Sequence, residues 1–157
     1  MIIRVRKELV RCTECKHKND FMYISDFSYG ESLVLYNKGT KFAYINLLKD
    51  KVYSDFIDIV KYVYKESNKL LSAEEIQIIV NKIFKIACDK IDGIMVDFDG
   101  KRRCDKCGND EFEDMLVEPE VITEIDILEI THREWNKLSD DKKIKLIRDT
   151  MKKEHLI

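Results

Sequence analysis

Cys12-Thr13-Glu14-Cys15 and Cys104-Asp105-Lys106-Cys107 are two turns of identical spacing, and how they are read decides the fold. A C-x-x-C turn aims two sulfurs at one point and leaves backbone N–H groups free to support them. Two such turns facing each other supply the four ligands of a tetrahedral metal site, zinc above all. In a reducing compartment the thiols stay reduced, which favours a metal over disulfides. Gly108 directly follows Cys107, where the chain must turn sharply with φ above zero. Lys16 holds the matching place after the first turn. Positions 16 to 103 place 88 residues between the two pairs. Closing a loop of that length costs roughly 4 kcal/mol of chain entropy beyond a constant. A structural zinc ion supplies on the order of 10–16 kcal/mol in small peptides, which outweighs the closure.

With a knuckle on either side of a long folding insertion, the chain resembles the split zinc-ribbon group. The resemblance covers the two C-x-x-C turns and their flanking strands. It implies a structural Zn²⁺ on Cys12, Cys15, Cys104 and Cys107 and names no activity. Other uses of the four thiols stay open. Iron in a rubredoxin-like site is the lesser metal alternative, because four thiolates suit it too. A dithiol redox site wants one C-x-x-C leading into a helix, whereas Lys16-His17-Lys18-Asn19-Asp20 reads as a turn. Unrelated surface thiols are the remaining alternative. A closed four-thiolate site has no coordination position for water or substrate, so the metal points to architecture and to a non-enzyme. The fifth cysteine, Cys88, reads as a small residue on or beside an apolar helical face.

Outward from the knuckles, the chain alternates between two periods. Residues 2–11 alternate as a strand entering the first knuckle, and Phe21-Met22-Tyr23-Ile24 reads as its return. Ser32–Tyr36 and Lys41–Asn46 are aromatic-rich strands around Asn37-Lys38-Gly39-Thr40, which has Asn and Gly where a hairpin needs them. Tyr53, Phe56, Ile57, Val60, Val63 and Tyr64 then fall on one helical face. Ser72 and Glu75 make a capping box for a second helix, whose apolar face is Ile76, Ile79, Val80, Ile83, Phe84 and Ala87. Both faces read as core. Met115-Leu116-Val117 ahead of Pro119 reads as an edge strand or a break in pairing, and Val121–Ile127 as a strand with Ile125 and Ile127 on one face. Thr131 with Glu134 offers another capping box, Ser139 caps a helix carrying Ile144, Ile147 and Met151, and residues 152–157 are expected to fray. The expected fold is α+β in a single domain, 1–157. A small antiparallel sheet carries the ribbon halves 1–25 and 94–130, an α/β insertion with two helices spans 26–93, and a helical unit closes the chain at 131–157.

Composition fits a soluble globular chain. The 157 residues are 45% hydrophobic and 37% charged, with 28 Lys and Arg against 30 Asp and Glu. One Pro and five Gly exclude collagen-like and linker-like chains. Apolar runs are short, as at Ile94-Met95-Val96, so no membrane span is expected. The first eight residues put charges where a signal peptide needs its apolar region, so a cytoplasmic protein is expected. A content of 20 Ile and 21 Lys fits an AT-rich bacterial or phage gene.

One motif invites a catalytic reading. Ile94-Met95-Val96-Asp97-Phe98-Asp99-Gly100 is similar to the first motif of haloacid-dehalogenase-type phosphatases, where the first aspartate attacks phosphorus and the second acts as acid and base. Lys101 stands where that family has Thr, and only 57 residues follow Gly100, too few for the remaining α/β units. A strand ending in an Asp-Gly turn that feeds the second knuckle is the better reading. His17, His132 and His155 lack metal or triad spacing, and no P-loop, G-x-G-x-x-G or G-x-S-x-G is present. No small-molecule substrate is expected.

Charge is segregated along the chain. Residues 1–18 sum to +4 and residues 101–107 to +3, so joined knuckles would share a basic end. Arg4, Arg6, Arg102 and Arg103 are its candidate phosphate-binding residues, the basis of a nucleic-acid-binding or transcription-regulatory alternative. Cations near a four-thiolate zinc site, which carries a formal −2, are also expected on structural grounds. Residues 108–130 hold nine carboxylates and no Lys or Arg. A solvated acidic face is the plain reading; otherwise these carboxylates pair with the protein's own basic end, with its C-terminal unit at +3, or with a basic partner protein. The leading expectation is a non-catalytic zinc-ribbon protein acting by protein–protein contact. An immunity protein neutralising a basic toxin such as a nuclease is its sharpest form, with Glu118, Glu120, Glu124 and Asp126 as partner-binding residues.

Overall fold

A computed structural model describes residues 1–24, 29–114 and 121–157, Asp114 by its backbone alone. Met115-Leu116-Val117, Pro119 and the expected partner-binding residues Glu118 and Glu120 lie outside the described residues. The elements run β1 (Ile2–Cys12), β2 (Lys18–Ile24), β3 (Glu31–Tyr36), β4 (Lys41–Asn46), α1 (Lys51–Glu66) and α2 (Ala73–Ile83). A 3₁₀ turn (Phe84–Ala87) follows, then β5 (Phe112–Asp114), β6 (Val121–Asp126), α3 (Arg133–Asn136) and α4 (Asp140–Lys153). Helices and antiparallel strands together make an α+β architecture. Among the described residues, no helix is long and apolar enough to cross a membrane.

β1 is the spine of the ribbon. It pairs antiparallel with β2 on one side, and on the other with β6 along its first half and β5 at its end. Successive side chains of a strand point to opposite faces. β1 buries Ile3 and Val5 on one face in its first half, then Val10 and Cys12 on the other face as it enters the knuckle. A single strand thereby serves two sites on opposite sides of its sheet.

The hairpin β3–β4 is the middle layer. Val34, Tyr36, Ala43 and Ile45 face the helices, whereas Leu33, Phe42 and Tyr44 lie against Ile3, Val5 and Ile127 beside the ribbon sheet. Burial on both faces explains why its sequence is nearly continuously apolar, with little alternation. Asn37, Lys38 and Gly39 all take positive φ at its tip. A Cβ on Gly39 would run into the Lys101 carbonyl oxygen, and the Gly39 carbonyl accepts from the Arg103 amide at 3.1 Å. The tip of the insertion is thus docked on the chain that enters the second knuckle. The segment after β6 crosses to the hairpin edge, where the Tyr44 amide donates to the Leu128 carbonyl and the Ile130 amide to the Tyr44 carbonyl, both at 2.8 Å.

The helical half follows the expected periodicity. α1 buries Tyr53, Phe56, Val60, Val63 and Tyr64. The Ser72–Glu75 capping box forms, and Ser139 caps α4 by accepting the Lys142 amide. Three expectations change. α2 ends at Ile83, with Phe84 to Ala87 turning as 3₁₀, so Cys88 sits just past helical structure. The Thr131–Glu134 box does not form; Asp89 instead accepts the Arg133 and Glu134 amides at 2.7 and 3.0 Å and the Thr131 hydroxyl at 2.6 Å. The C-terminal residues do not fray, because Leu156 and Ile157 pack on the helical core and the Leu156 carbonyl accepts the Tyr64 hydroxyl.

Candidate metal centre

Each knuckle is closed by the same pair of backbone bonds. The Lys16 amide donates to the Cys12 carbonyl at 3.1 Å, and the Gly108 amide to the Cys104 carbonyl at 2.9 Å. One residue further on, the Cys12 amide donates to the His17 carbonyl and the Cys104 amide to the Asn109 carbonyl. Lys16 at φ 61° and Gly108 at φ 78° both take the left-handed conformation this requires. The first knuckle therefore makes the turn without glycine, at the steric cost a side chain carries there.

The two knuckles meet. The Sγ atoms of Cys12, Cys15, Cys104 and Cys107 all lie within 4.8 Å of one another. Cys12 approaches Cys107 at 3.4 Å and Cys15 approaches Cys104 at 3.5 Å, both between knuckles. Four sulfurs about 2.3 Å from one tetrahedral zinc ion would be separated by roughly 3.8 Å, so the set fits a single ion. The four cysteines can hold a metal.

The surroundings of the two buried cysteines favour thiolates. At Cys104, burial pushes the thiol up, but the Cys107 amide, the Asn19 side chain and the Lys106 amide bring it to about 6. At Cys12, burial is likewise outweighed by the Cys15 amide, the Asn109 side chain and the Glu14 amide, and the thiol falls below its ordinary value. Cys107 goes the other way, to about 12. The Asn109 amide lowers it, but desolvation and the three neighbouring sulfurs raise it more. Four sulfurs this close repel as anions, and a cation among them removes that repulsion.

Two asparagines cross between the knuckles. Asn19, 1% exposed, leaves the first knuckle and serves the second: its Nδ2 donates to Cys104 Sγ at 3.5 Å and its Oδ1 accepts the Asp105 amide at 3.0 Å. Asn109 leaves the second and serves the first, its Nδ2 reaching Cys12 Sγ at 3.6 Å and Thr13 Oγ1 at 3.1 Å. Each half of the ribbon thus orients the buried cysteine of the other. Neither residue is announced by the sequence, because an isolated Asn near a knuckle also reads as turn chemistry.

The remaining candidate residues are dispersed over the sheet. Arg102 is held by ring faces: its guanidinium carbon lies 4.1 Å from the Tyr23 centroid, 5.2 Å from Phe21 and 5.3 Å from Phe42. Its Nη2 donates to the Met22 carbonyl at 2.9 Å, which covers the outer edge of β2. Arg103 Nη1 donates to the Gly108 carbonyl at 3.1 Å. Arg6 lies over Tyr23 and pairs with Glu8 at 3.4 Å, while Arg4 stands opposite Glu124 in the β1–β6 register. Asp126 takes the N-terminal ammonium at 3.0 Å. The basic end is paired in the same way, Arg11 and Lys16 to Glu113 at 3.7 and 3.8 Å and Lys101 to Asp110 at 3.9 Å. Carboxylates of the acidic stretch thus meet the protein's own cations.

Asp97 and Asp99 sit on no strand. Asp97 Oδ1 accepts the Asp99 amide at 2.9 Å, and the Asp97 amide makes one bridge to Leu35 of β3. That self-contained turn occupies the nucleophile position of the phosphatase-like motif. Burial raises the Cys88 thiol, with Asp50 and Asp89 adding to it, so it stays neutral.

His132 is the residue that spacing missed. Its Nε2 lies 2.7 Å from Asp50 Oδ2 and its Nδ1 2.6 Å from the Ala87 carbonyl oxygen. Both partners can only accept, so the site suits the doubly protonated ring, and the pKa is accordingly raised above its ordinary value. Asp50, which also accepts the Tyr53 amide as the cap of α1, is 82 residues away in sequence. No family model matches the chain, and neither a curated protein nor a solved structure is significantly similar to it.

Proposed function

We propose that Cys12, Cys15, Cys104 and Cys107 hold a structural zinc ion, and that the protein is a non-catalytic, zinc-stapled module that works by binding another protein. The observation that carries the first part is the convergence of four sulfurs from turns 88 residues apart, with amides and two asparagines directed at them. Bound zinc would neutralise the thiolates and tie together the ends of the insertion. Four cysteine ligands close its coordination sphere, which is the reason to read it as architectural. Elemental analysis of protein purified without chelator should give one zinc per chain, and cobalt substitution should give tetrahedral thiolate absorption. Stoichiometric iron would replace zinc, and a metal-free chain with an unchanged fold would remove the site.

The protein-binding part is supported by the closed site and by nine carboxylates without a cation over residues 108–130. A basic toxin such as a nuclease is a partner of matching charge, and an immunity protein is the form this reading takes. Glu124→Gln with Asp126→Gln should weaken such a complex at least tenfold. The nucleic-acid alternative has less support, since Arg102 and Arg103 are engaged within the fold. Binding to DNA or RNA that weakens with salt and is lost in Arg4→Ala would reverse that order.

A further inference from the structure

We infer that the outer edge of β6 is a docking site for an extended, basic segment of a partner protein, which adds to the ribbon sheet as a further antiparallel strand. The inference rests on the protein-binding reading and names the surface and its mode.

The first observation is topological. β6 pairs with β1 along one side, Ile2 opposite Asp126 through Lys7 opposite Val121. Among the described residues, nothing pairs with its other side, and no backbone hydrogen bond from elsewhere reaches Val121–Asp126. The other edge of the same sheet is treated differently, because Arg102 lies along β2 and takes the Met22 carbonyl. An unpaired row of N–H and C=O groups is a template for strand addition.

The second observation concerns the side chains beside that edge. Val121 and Ile122 are 55% and 56% exposed. β-branched residues fit a strand, and solvent gives them no packing partner. Ile122, Glu124 and Asp126 alternate onto one face, next to Ile2, which is 69% exposed. An added strand that places an aliphatic side chain beside Ile122 and Lys or Arg beside Glu124 and Asp126 is complementary in both respects.

The third observation identifies the occupant. A second copy would pair β6 with itself antiparallel and bring the Glu124 and Asp126 side chains of both chains to one face, and like charges opposite each other are destabilising. The N-terminal ammonium takes Asp126 of the chain's own edge at 3.0 Å, and it does not relieve the carboxylates of an incoming acidic strand. The edge therefore rejects its own copy and accepts a basic strand.

The test uses the full zinc-loaded chain and three synthetic peptides. The first alternates Lys and Val over eight residues, the second carries Glu for Lys, and the third has the first sequence with alternate amides N-methylated. Backbone amide spectra should show the Lys peptide shifting residues 121–126 and their β1 partners. The Glu peptide and the methylated peptide should bind at least tenfold more weakly. Glu124→Lys with Asp126→Lys should abolish the shifts while metal content and helical signal stay unchanged. Shifts centred elsewhere overturn the edge assignment and leave the protein-binding reading standing. Equal binding of the methylated peptide overturns strand addition. A dimer built on β6 overturns the choice of occupant. No binding of any basic probe to any surface removes both the inference and the reading beneath it.

Discussion

Beside the ribbon sheet, the described apolar cluster has four buried members, Ile3, Val5, Tyr44 and Ile127. Across the hairpin, nineteen buried residues from β3, β4, the helices and the loops around them form one continuous cluster centred on Phe56 and Phe84. A cluster of four cannot hold four strands, two knuckles and a long closure by burial alone, at roughly 1.5–3 kcal/mol for each large side chain. With the proposed metal in place, the ribbon half would lean on what its sulfurs hold, whereas the helical half rests on apolar packing. Size of core and presence of ligands divide the work between two layers that share one hairpin.

Removing the metal should separate the halves most widely. Chelation would withdraw a contribution on the order of 10 kcal/mol from the ribbon. Amide hydrogen exchange should then accelerate across β1, β2 and the second knuckle, while α1 and α2 keep most of their protection. Equal loss in both halves would show that the hairpin couples them into one cooperative unit. The reverse experiment is Phe84→Ala. Phe84 is fully buried and meets Tyr53, Phe56 and Phe98 edge-on at 5.0, 5.1 and 5.2 Å. Truncation should cost about 3–5 kcal/mol in denaturant unfolding, read in the helical signal, with one metal retained per folded chain. Loss of metal binding in that variant would break the division.

Asn19→Ala sharpens the comparison within the ribbon. It removes a buried amide that holds Cys104 from the opposite knuckle and leaves the Asp105 amide without its acceptor, at about 1–3 kcal/mol. Metal affinity should fall roughly 10–100-fold, the range found when groups that orient ligands are removed. Asn109→Ala should act in the same direction through Cys12. If neither changes affinity, the crossing asparagines only fill space.

Local information was enough for much of this. The spacing of Cys12, Cys15, Cys104 and Cys107 carries the candidate metal site because ligand geometry is encoded in the turn itself. The α1 face and the Ser72 box are equally local, their signals lying within four residues. Features that depend on distant chain segments did not show. Asp89 replaces the expected Thr131–Glu134 box from 44 residues away from the Arg133 amide it caps, because a caged carboxylate satisfies two amides and a hydroxyl at once. β1 changes its buried face midway, which no single period describes, since its two halves pack against different neighbours. Aromatic rings around Arg102 hold its guanidinium beside β2, where it donates to the Met22 carbonyl, a placement its charge alone does not announce. Proximity in space decided each of these, and alternation or charge along the chain does not contain it.

The smallest effect concerns the contact that ties the C-terminal unit to the insertion. Burial lowers the His132 pKa, but its hydrogen bonds to the Asp50 carboxylate and the Ala87 carbonyl raise it more, with Asp50 and Asp89 adding charge attraction, so it lies above the ordinary 6.5. Burial raises the Asp50 pKa, but the His132 bond and the Tyr53 amide outweigh this and hold it below the ordinary 3.8. Asp50, Asp89 and the neutral Cys88 thiol are the titratable groups that these electrostatics connect to the ring. A histidine whose folded pKa is raised contributes stability that is complete below its unfolded value and is lost as pH rises through the folded one. The contribution of Asp50 is complete above its unfolded value and is lost as pH falls through its folded pKa. The pair is therefore intact from about pH 4 until the ring deprotonates, above 6.5. Between pH 6 and 9, with zinc in excess, the stability of the natural chain relative to His132→Gln should decline as pH rises. Imidazole ¹⁵N shifts should report the same midpoint. A flat difference would mean that the ring is neutral at pH 6 and that the helical half is closed by packing alone.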